Sequence, residues 1–296
     1  MKRLAFVALV LAGLFWGLGF PLGKAALKEL DAAHMVTLRM VFAALAAAPF
    51  ALRRPETRAL FRSPVVLLCG VIYGLAFLAQ FEGLARVNVS LAALLVGAMP
   101  AFIAVAARIT GEPVGRVSWI GVAAATAGAA LIAGRPDGGG SPLGVALSLL
   151  GLVLFLTWLQ VLRGAPKPAD AMALPAVTVI VAAVTLLPVS FVMHGAPRLD
   201  LSAGVWIAIV AQGVFCTFLA TAAWQFGARQ VGSATAGVFV NIEPLMGALI
   251  GVSLFGDHLT WGLALGGTAI VAGSVIVVLG ERGSKQVLAE IAATAV

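Results

Sequence analysis

The sequence predicts an all-α polytopic membrane protein, with ten transmembrane helices in two inverted five-helix repeats around a central cavity. Three observations predict this fold: an apolar composition, ten apolar segments of spanning length, and residue pairs repeated in register between the two halves. Of the 296 residues, 61% are hydrophobic and 10% are charged, whereas soluble domains carry about 25% charged residues. The mean hydropathy of +1.08 therefore excludes an ordinary soluble enzyme, a disordered chain and a nucleic-acid-binding protein.

Ten apolar segments are predicted to be helices, because about 20 apolar residues cross a hydrocarbon core of about 30 Å. They lie at 4–27, 33–52, 64–82, 89–109, 116–134, 141–163, 170–193, 203–226, 233–255 and 260–280. The first segment follows two basic residues, as a signal peptide would. It is too long for one, however, and carries Pro21 and Lys24 where a small-residue cleavage site would lie. We expect it to remain in the mature protein.

The basic residues are distributed unequally between the two sides of the predicted membrane. If the N-terminus is cytoplasmic, 13 basic residues face the cytoplasm: Lys2, Arg3, Arg53, Arg54, Arg58, Arg62, Arg108, Arg116, Arg163, Lys167, Arg229, Arg282 and Lys285. The other side carries five: Lys24, Lys28, Arg86, Arg135 and Arg198. Since cytoplasmic loops are enriched in Lys and Arg, we expect a multi-pass protein of the bacterial inner membrane with both termini in the cytoplasm. This bias also accounts for the net charge of +7 without nucleic acid.

The two halves repeat four elements in one register. The pairs are Ala85-Arg86 with Ala228-Arg229, Pro100 with Pro244, Gly111-Glu112 with Gly256-Asp257, and Ala127-Gly128 with Ala272-Gly273. This register predicts a first repeat at 1–137, a second at 138–283 and a cytoplasmic tail at 284–296. Because five is an odd number, the second repeat would enter the membrane in the opposite orientation. Inverted repeats are typical of secondary transporters, whose solute site lies between the halves near the midplane.

The chain also resembles a known family. Phe15-Trp16-Gly17, Phe20, Lys24 and Arg39 look like the opening of EamA-type members of the drug/metabolite transporter superfamily. Pro100 followed by Gly111-Glu112, and Pro244 followed by Gly256-Asp257, resemble the segment that closes each EamA half, although Asp257 replaces the usual Glu. The resemblance covers about residues 4–280. It implies two inverted five-helix repeats and export of small metabolites, most like the aromatic amino-acid exporter branch.

Polar residues inside predicted spans are candidates for function because they are costly in lipid. Glu243 lies halfway along the ninth span beside Asn241 and Pro244, and Arg39 is the only basic residue well inside a span. Glu243 is interpreted either as a solute-amine or proton site, or as half of a structural ion pair with Arg39. Pro100 and Pro244 are predicted to kink the fourth and ninth spans near their middles and to face the cavity.

Aromatic and amide side chains supply the remaining candidates. Tyr73, Phe77 and Gln80 recur at helical spacing and share one face of the third span. The full set of predicted cavity residues is Trp16, Tyr73, Phe77, Gln80, Pro100, Trp158, Gln212, Gln225, Asn241, Glu243 and Pro244. Apolar walls with a few polar groups suit a small amphipathic solute.

The sequence therefore predicts an exporter of amino acids or similar amphipathic metabolites that works by alternating access. Its expected partners are a small solute and the lipid bilayer, and a monomer is expected. No cofactor or metal is expected, since His-Glu-x-x-His, Cys-x-x-Cys, Gly-x-Ser-x-Gly and P-loop motifs are absent. His34, His194 and His258 fall at predicted helix ends and are interpreted as solvated.

Three alternatives remain open at this point. A sugar-phosphate or nucleotide-sugar antiporter would need several intramembrane cations, whereas Arg39 is nearly alone. An intramembrane enzyme would need a convergent catalytic set, which is not visible. A structural membrane subunit would have no need of an inverted repeat.

Overall fold

A computed structural model describes residues 2–109, 114–133, 141–166, 168, 170–231, 239–240, 242–258 and 260–294, and these ranges contain helices and no strand. The helices are α1 (Lys2–Ala26), α2 (Ala32–Leu52), α3 (Pro55–Ala59), α4 (Pro64–Leu84), α5 (Val89–Val96), α6 (Met99–Ile109), α7 (Arg116–Ala133), α8 (Pro142–Arg163), α9 (Ala173–His194), α10 (Ala203–Val231), α11 (Ile242–Leu254) and α12 (Trp261–Thr294). A short 3-10 turn, Leu60–Arg62, follows α3. The described chain is therefore all-helical, as predicted.

Seven of the described helices are long and apolar enough to cross a membrane. They are α1, α2, α4, α8, α9, α10 and the first part of α12, Trp261–Gly280. Helix α11 is apolar, and its described part, Ile242–Leu254, is shorter. These helices confirm a multi-pass membrane protein and coincide with the first three, the sixth to eighth and the tenth predicted spans.

The fourth predicted span differs from the prediction, because residues 89–109 form two helices instead of one. The chain turns at Gly97 and Ala98, whose N–H groups bond to the carbonyls of Leu94 and Leu95, three residues back. The Gly97 carbonyl accepts a hydrogen bond from the Ser274 hydroxyl on α12. This side-chain bond stabilises a break that hydropathy cannot reveal.

The first of the two paired prolines lies at a break between helices instead of a kink within one helix. Pro100 is the second residue of α6, directly after the turn at Gly97 and Ala98. Proline is tolerated in the first turn of a helix, since the N–H groups there have no intrahelical partner. The predicted kink at Pro244 depends on residue 241, which lies outside the described residues.

The helices pack in pairs that relate the first half of the chain to the second. Helix α7 packs on α12, α2 on α9, and α5 on α11. Helix α4 packs on α8 and α9, and α10 packs in the same way on α1 and α2. In lipid, such contacts depend on close backbone approach at small residues. A Cβ atom on Gly17 of α1, for example, would lie 2.6 Å from the Cβ of Met246 on α11.

A cluster around Asp31 ties the start of α2 to the end of α9. Asp31 caps α2 by accepting the backbone N–H of His34 at 2.9 Å, and its other oxygen lies 2.6 Å from Nδ1 of the His34 ring. Nε2 of that ring lies 3.0 Å from the carbonyl of Gly195. His34 is 4% exposed, so its predicted solvation is wrong.

We predict that Asp31→Ala lowers the free energy of unfolding by about 1 kcal/mol, the usual loss when a helix cap is removed. Burial raises the pKa of Asp31, but the hydrogen bonds from His34 lower it further, so the net pKa lies below the ordinary value of 3.8. The ionised cap therefore stabilises the protein above about pH 4, and this contribution disappears as the pH falls through the lowered pKa.

Asp31→Asn is the matched control, since asparagine also caps helices but does not titrate. We expect it to retain most of the stability at pH 7 and to lose less than the wild type on acidification. Thermal unfolding of the purified protein between pH 7 and pH 3 measures both effects. Equal pH dependence in the two proteins would contradict the role assigned to the Asp31 carboxylate.

Candidate functional site

A central cavity lies among α1, α2, α4, α8, α10 and α11 and reaches the break between α5 and α6. The cavity has a volume of about 100 Å³. Its walls are mainly aromatic: Trp16, Phe20, Tyr73, Phe77, Phe81, Phe155, Trp158 and Trp224. Small-molecule sites typically combine such walls with a few placed polar groups.

Tyr73 is the centre of the aromatic wall. Its ring centroid lies 4.9 Å from that of Phe77, 6.0 Å from Phe155 and 5.1 Å from Trp158. Its hydroxyl lies 2.8 Å from that of Thr221 on α10, and either oxygen can be the donor. Side chains of α4, α8 and α10 thus form one continuous wall of the cavity. Within it, the Tyr73 hydroxyl is hydrogen-bonded to the Thr221 hydroxyl.

Arg39 is the cation of the cavity, and it is 2% exposed. Its Nε donates to the Thr217 hydroxyl at 2.6 Å, and Nη2 donates to the Cys216 carbonyl at 3.2 Å. The guanidinium carbon lies 4.2 Å from the ring centroid of Phe77 and 4.9 Å from that of Phe81. Cation–π contacts with these two faces and the two hydrogen bonds stabilise a charge that lipid would not tolerate.

A π-helical segment of α10, Gln212–Leu219, supplies the partners of Arg39. Such segments are rare interruptions of α-helices and occur often at functional sites. Thr217 donates its hydroxyl to the Gln212 carbonyl at 2.8 Å while it accepts from Arg39. The Gln212 amide donates to the Gly19 carbonyl on α1. The segment therefore joins α10 to both α1 and α2 beside the cavity.

Six of the eleven predicted cavity residues line this one cavity: Trp16, Tyr73, Phe77, Gln80, Trp158 and Glu243. Gln212, Gln225 and Pro244 are buried but do not line it. Pro100 is described only by its backbone, at the start of α6, and Asn241 lies outside the described residues.

Sequence reasoning missed Phe20, Phe81, Phe155, Thr221 and Trp224, which also line the cavity. A signal for the last two existed, since Thr221 and Trp224 are three residues apart and share one face of α10. Gln225, which was predicted to line the cavity, directly follows Trp224 in the sequence. Its side chain therefore points about 100° away from that of Trp224 around the helix. The aromatic rings of Phe20 and Phe81 stack across the α1–α4 contact, with centroids 6.3 Å apart.

The direct ion pair between Arg39 and Glu243, one of the two interpretations of Glu243, does not form in the structure. The two side chains line the same cavity and their charges interact. Among the described residues, however, the salt bridges within 4.0 Å include none between them. Arg39 is oriented by α10 and by the Phe77 and Phe81 rings, so its position does not depend on contact with Glu243.

A second, polar recess of about 830 Å³ lies at the ends of α1, α4 and α9. Lys24, Asp31, Glu82, Arg86 and His194 line it. Lys24 comes one helical turn after the cavity residue Phe20. Its Nζ donates hydrogen bonds to the carbonyls of Leu84 and Val87 at 2.8 and 2.6 Å. These bonds satisfy carbonyl groups at the C-terminal end of α4 and just beyond it.

The two halves of the chain match the same family of proteins. The sequence model of the EamA-like transporter family matches residues 3–134 and again residues 142–279, which together make up most of the chain. This chain belongs to the EamA-like transporter family. It is also similar to the uncharacterized inner membrane transporter YedA of Escherichia coli K12, with 25% identity over 93% of this chain and 91% of YedA.

Two further proteins are similar to this chain, one in part of its sequence and one in its fold. An uncharacterized transporter of Haemophilus influenzae is 27% identical over 109 residues, which are 37% of this chain and 64% of that protein. A solved crystal structure aligns with a TM-score of 0.66 at 17% identity and covers 94% of this chain and 98% of that chain. The EamA-like membership agrees with the resemblance expected from the sequence.

Proposed function

We propose that this EamA-like protein is a secondary transporter that exports small amphipathic metabolites, in particular aromatic or hydrophobic amino acids, across a bacterial inner membrane. The observation that carries the proposal is the central cavity, in which aromatic rings surround one buried cation and one carboxylate. Such a lining complements a zwitterion with an apolar side chain. The relative YedA is described as an inner membrane transporter, which agrees with the proposed location.

The proposed architecture is ten spans in two inverted repeats, 1–137 and 138–283, followed by a tail at 284–296. Two findings support it: the family model matches each half separately, and the contacts of α4 with α8 and α9 recur between their repeat mates, α10 with α1 and α2. The α4–α8 contact, for instance, corresponds to the contact between α10 and α1. Two equivalent halves can exchange conformations, which gives alternating access about the cavity between them.

The proposed orientation predicts which loops can be labelled from outside the cell. Arg58 and Asp200 are both exposed, but the charge bias assigns Arg58 to the cytoplasm and Asp200 to the opposite side. We expect a membrane-impermeant thiol reagent to label Asp200→Cys on intact cells and Arg58→Cys only after permeabilisation. The native Cys69 and Cys216 are buried and are replaced in this background. The reverse labelling pattern would contradict the orientation.

The function is tested with purified protein reconstituted into liposomes and a panel of radiolabelled amino acids. We expect uptake above that of protein-free liposomes for phenylalanine, tryptophan or leucine, and little uptake of aspartate or lysine. A parallel series with an imposed pH gradient shows whether protons drive the flux. Uptake of phosphorylated sugars instead of amino acids would favour the antiporter alternative, and no uptake of any solute would contradict the proposal.

A further inference from the structure

Among the residues that the structure describes, three N–H donors on the cavity-lining side chains have no hydrogen-bond partner. They are Nη1 of Arg39, Nε1 of Trp158 and Nε1 of Trp224, from three different helices. Each nitrogen is buried. A buried donor without an acceptor destabilises a protein, because the hydrogen bond that it made with water in the unfolded chain is not replaced. Three of them around one cavity indicate that an acceptor is bound there in another step of the protein's cycle.

The chemistry of the donors limits what the acceptor can be. Tryptophan and arginine side chains donate hydrogen bonds and cannot accept them. The neighbouring hydroxyls of Tyr73 and Thr221 lie 2.8 Å from each other, and neither accepts a hydrogen bond from the three donors. The missing partner must therefore offer several lone pairs to one cation and two indoles. A carboxylate does so with two oxygens, and its bonds to arginine are among the strong ones.

The charge of the cavity distinguishes between anions. Among the lining residues that the structure describes, Arg39 and Glu243 carry the formal charges, and they sum to zero when both are ionised. A doubly charged phosphate would leave the cavity, whose walls are largely aromatic, with two excess negative charges, which is unfavourable at low dielectric. A carboxylate with an ammonium group leaves none, because the ammonium balances Glu243.

We propose that the Arg39 Nη1, Trp158 Nε1 and Trp224 Nε1 donors bind the carboxylate of the solute, while Glu243 binds its ammonium group. This inference rests on the proposed transport function and deepens it: the cavity selects α-amino acids by their main-chain groups. The aromatic rings of the cavity contact the side chain of the amino acid, and these contacts are less specific than those to its main-chain groups. Amines and other cations without a carboxylate are then excluded, although the cavity walls would suit their apolar parts.

The test measures ligand-induced thermal stabilisation of the purified wild-type protein in detergent. The probes share a phenyl ring and differ in their charged groups: L-phenylalanine, 3-phenylpropionate, 2-phenylethylamine and 2-phenylethylphosphonate. We expect the largest stabilisation with phenylalanine, a smaller one with phenylpropionate, and none with the amine or the phosphonate. Equal stabilisation by the amine and by phenylalanine would overturn the inference. Preferential stabilisation by the phosphonate would overturn it in favour of a phosphate site.

The donors are tested with Trp158→Phe and Trp224→Phe, which keep a ring and remove the N–H. A hydrogen bond to a charged group contributes about 1.5–3 kcal/mol, so each variant should bind phenylalanine roughly tenfold more weakly or worse. Trp119→Phe is the matched control, because Trp119 is 40% exposed and does not line the cavity, and its affinity should equal that of the wild type. Wild-type affinity in both cavity variants would overturn the inference.

Failure of the inference differs from failure of the proposed function. If liposomes take up phenylalaninamide, which lacks the carboxylate, as fast as phenylalanine, the protein is a transporter but the carboxylate site is wrong. If no amino acid is bound or transported, the proposed function itself is wrong.

Discussion

Glu243→Gln is expected to reduce amino-acid transport by at least about tenfold while the protein folds normally. Glu243 lies in α11 and lines the cavity. Glutamine keeps the volume of the side chain, but it loses the charge that would attract a solute ammonium group or carry a proton. A lost hydrogen bond to a charged group corresponds to about 1.5–3 kcal/mol, which gives the expected factor. Initial rates of uptake into liposomes measure it.

The melting temperature of the same variant separates a functional role from a structural one. If Glu243 served mainly to neutralise Arg39, its removal would leave an uncompensated buried charge and destabilise the protein by about 3–5 kcal/mol. Arg39 has other partners, Thr217 and Cys216, so we expect a nearly unchanged melting temperature. A large loss of stability that is recovered in Arg39→Glu with Glu243→Arg would establish the ion pair instead. Unchanged transport, pH profile and stability would remove Glu243 from the mechanism.

Gly121→Val is expected to cause the largest loss of stability, because it separates α7 from α12. A Cβ atom at this glycine would collide with the Gly273 carbonyl and lie 2.7 Å from the backbone nitrogen of Val277. Both obstacles belong to the backbone and cannot rotate away. Overpacking of this kind destabilises proteins by about 1–3 kcal/mol or more, and helix association in lipid depends on such close contacts.

Gly204→Val is the matched control for this substitution. Gly204 lies in the first turn of α10, and a Cβ atom there would meet no atom within 4 Å. A change of 1 kcal/mol shifts the melting temperature by about 2–4 °C in chains of 150–250 residues. We therefore expect Gly121→Val to melt at least about 5 °C below both the wild type and Gly204→Val. Equal melting temperatures in all three would show that α7 and α12 do not pack as described.

Periodicity and hydropathy predict much of this fold and part of the site. Long apolar segments flanked by charges identify spans such as α1 and α9, because hydrocarbon demands about 20 apolar residues. Tyr73, Phe77 and Gln80 were correctly grouped because residues three or four apart share one helix face. That face meets Trp158, which the sequence placed inside the sixth span.

The remaining features depend on contacts between distant residues, which no local pattern encodes. The break after Val96 is stabilised by Ser274, and the orientation of Arg39 depends on Thr217, 178 residues further along the chain. The π-helical segment Gln212–Leu219 shifts the register of α10, so regular α-helical spacing does not predict which side chains before and after it share a face. The ion-pair interpretation of Arg39 and Glu243 depends on the same kind of contact: the sequence identifies both charges, but not Thr217 and Cys216 as the nearest partners of Arg39.

Counterflow in liposomes tests most directly whether the aromatic cavity is an alternating-access site for amino acids. Liposomes containing the wild-type protein are loaded with unlabelled phenylalanine and diluted into a trace of labelled phenylalanine. A site that opens to one side at a time exchanges bound solutes, so the label should accumulate transiently inside above its equilibrium level. Gly204→Val should behave in the same way, and Glu243→Gln should not. Equilibration of the label without a transient excess would indicate a channel and would contradict alternating access through this cavity.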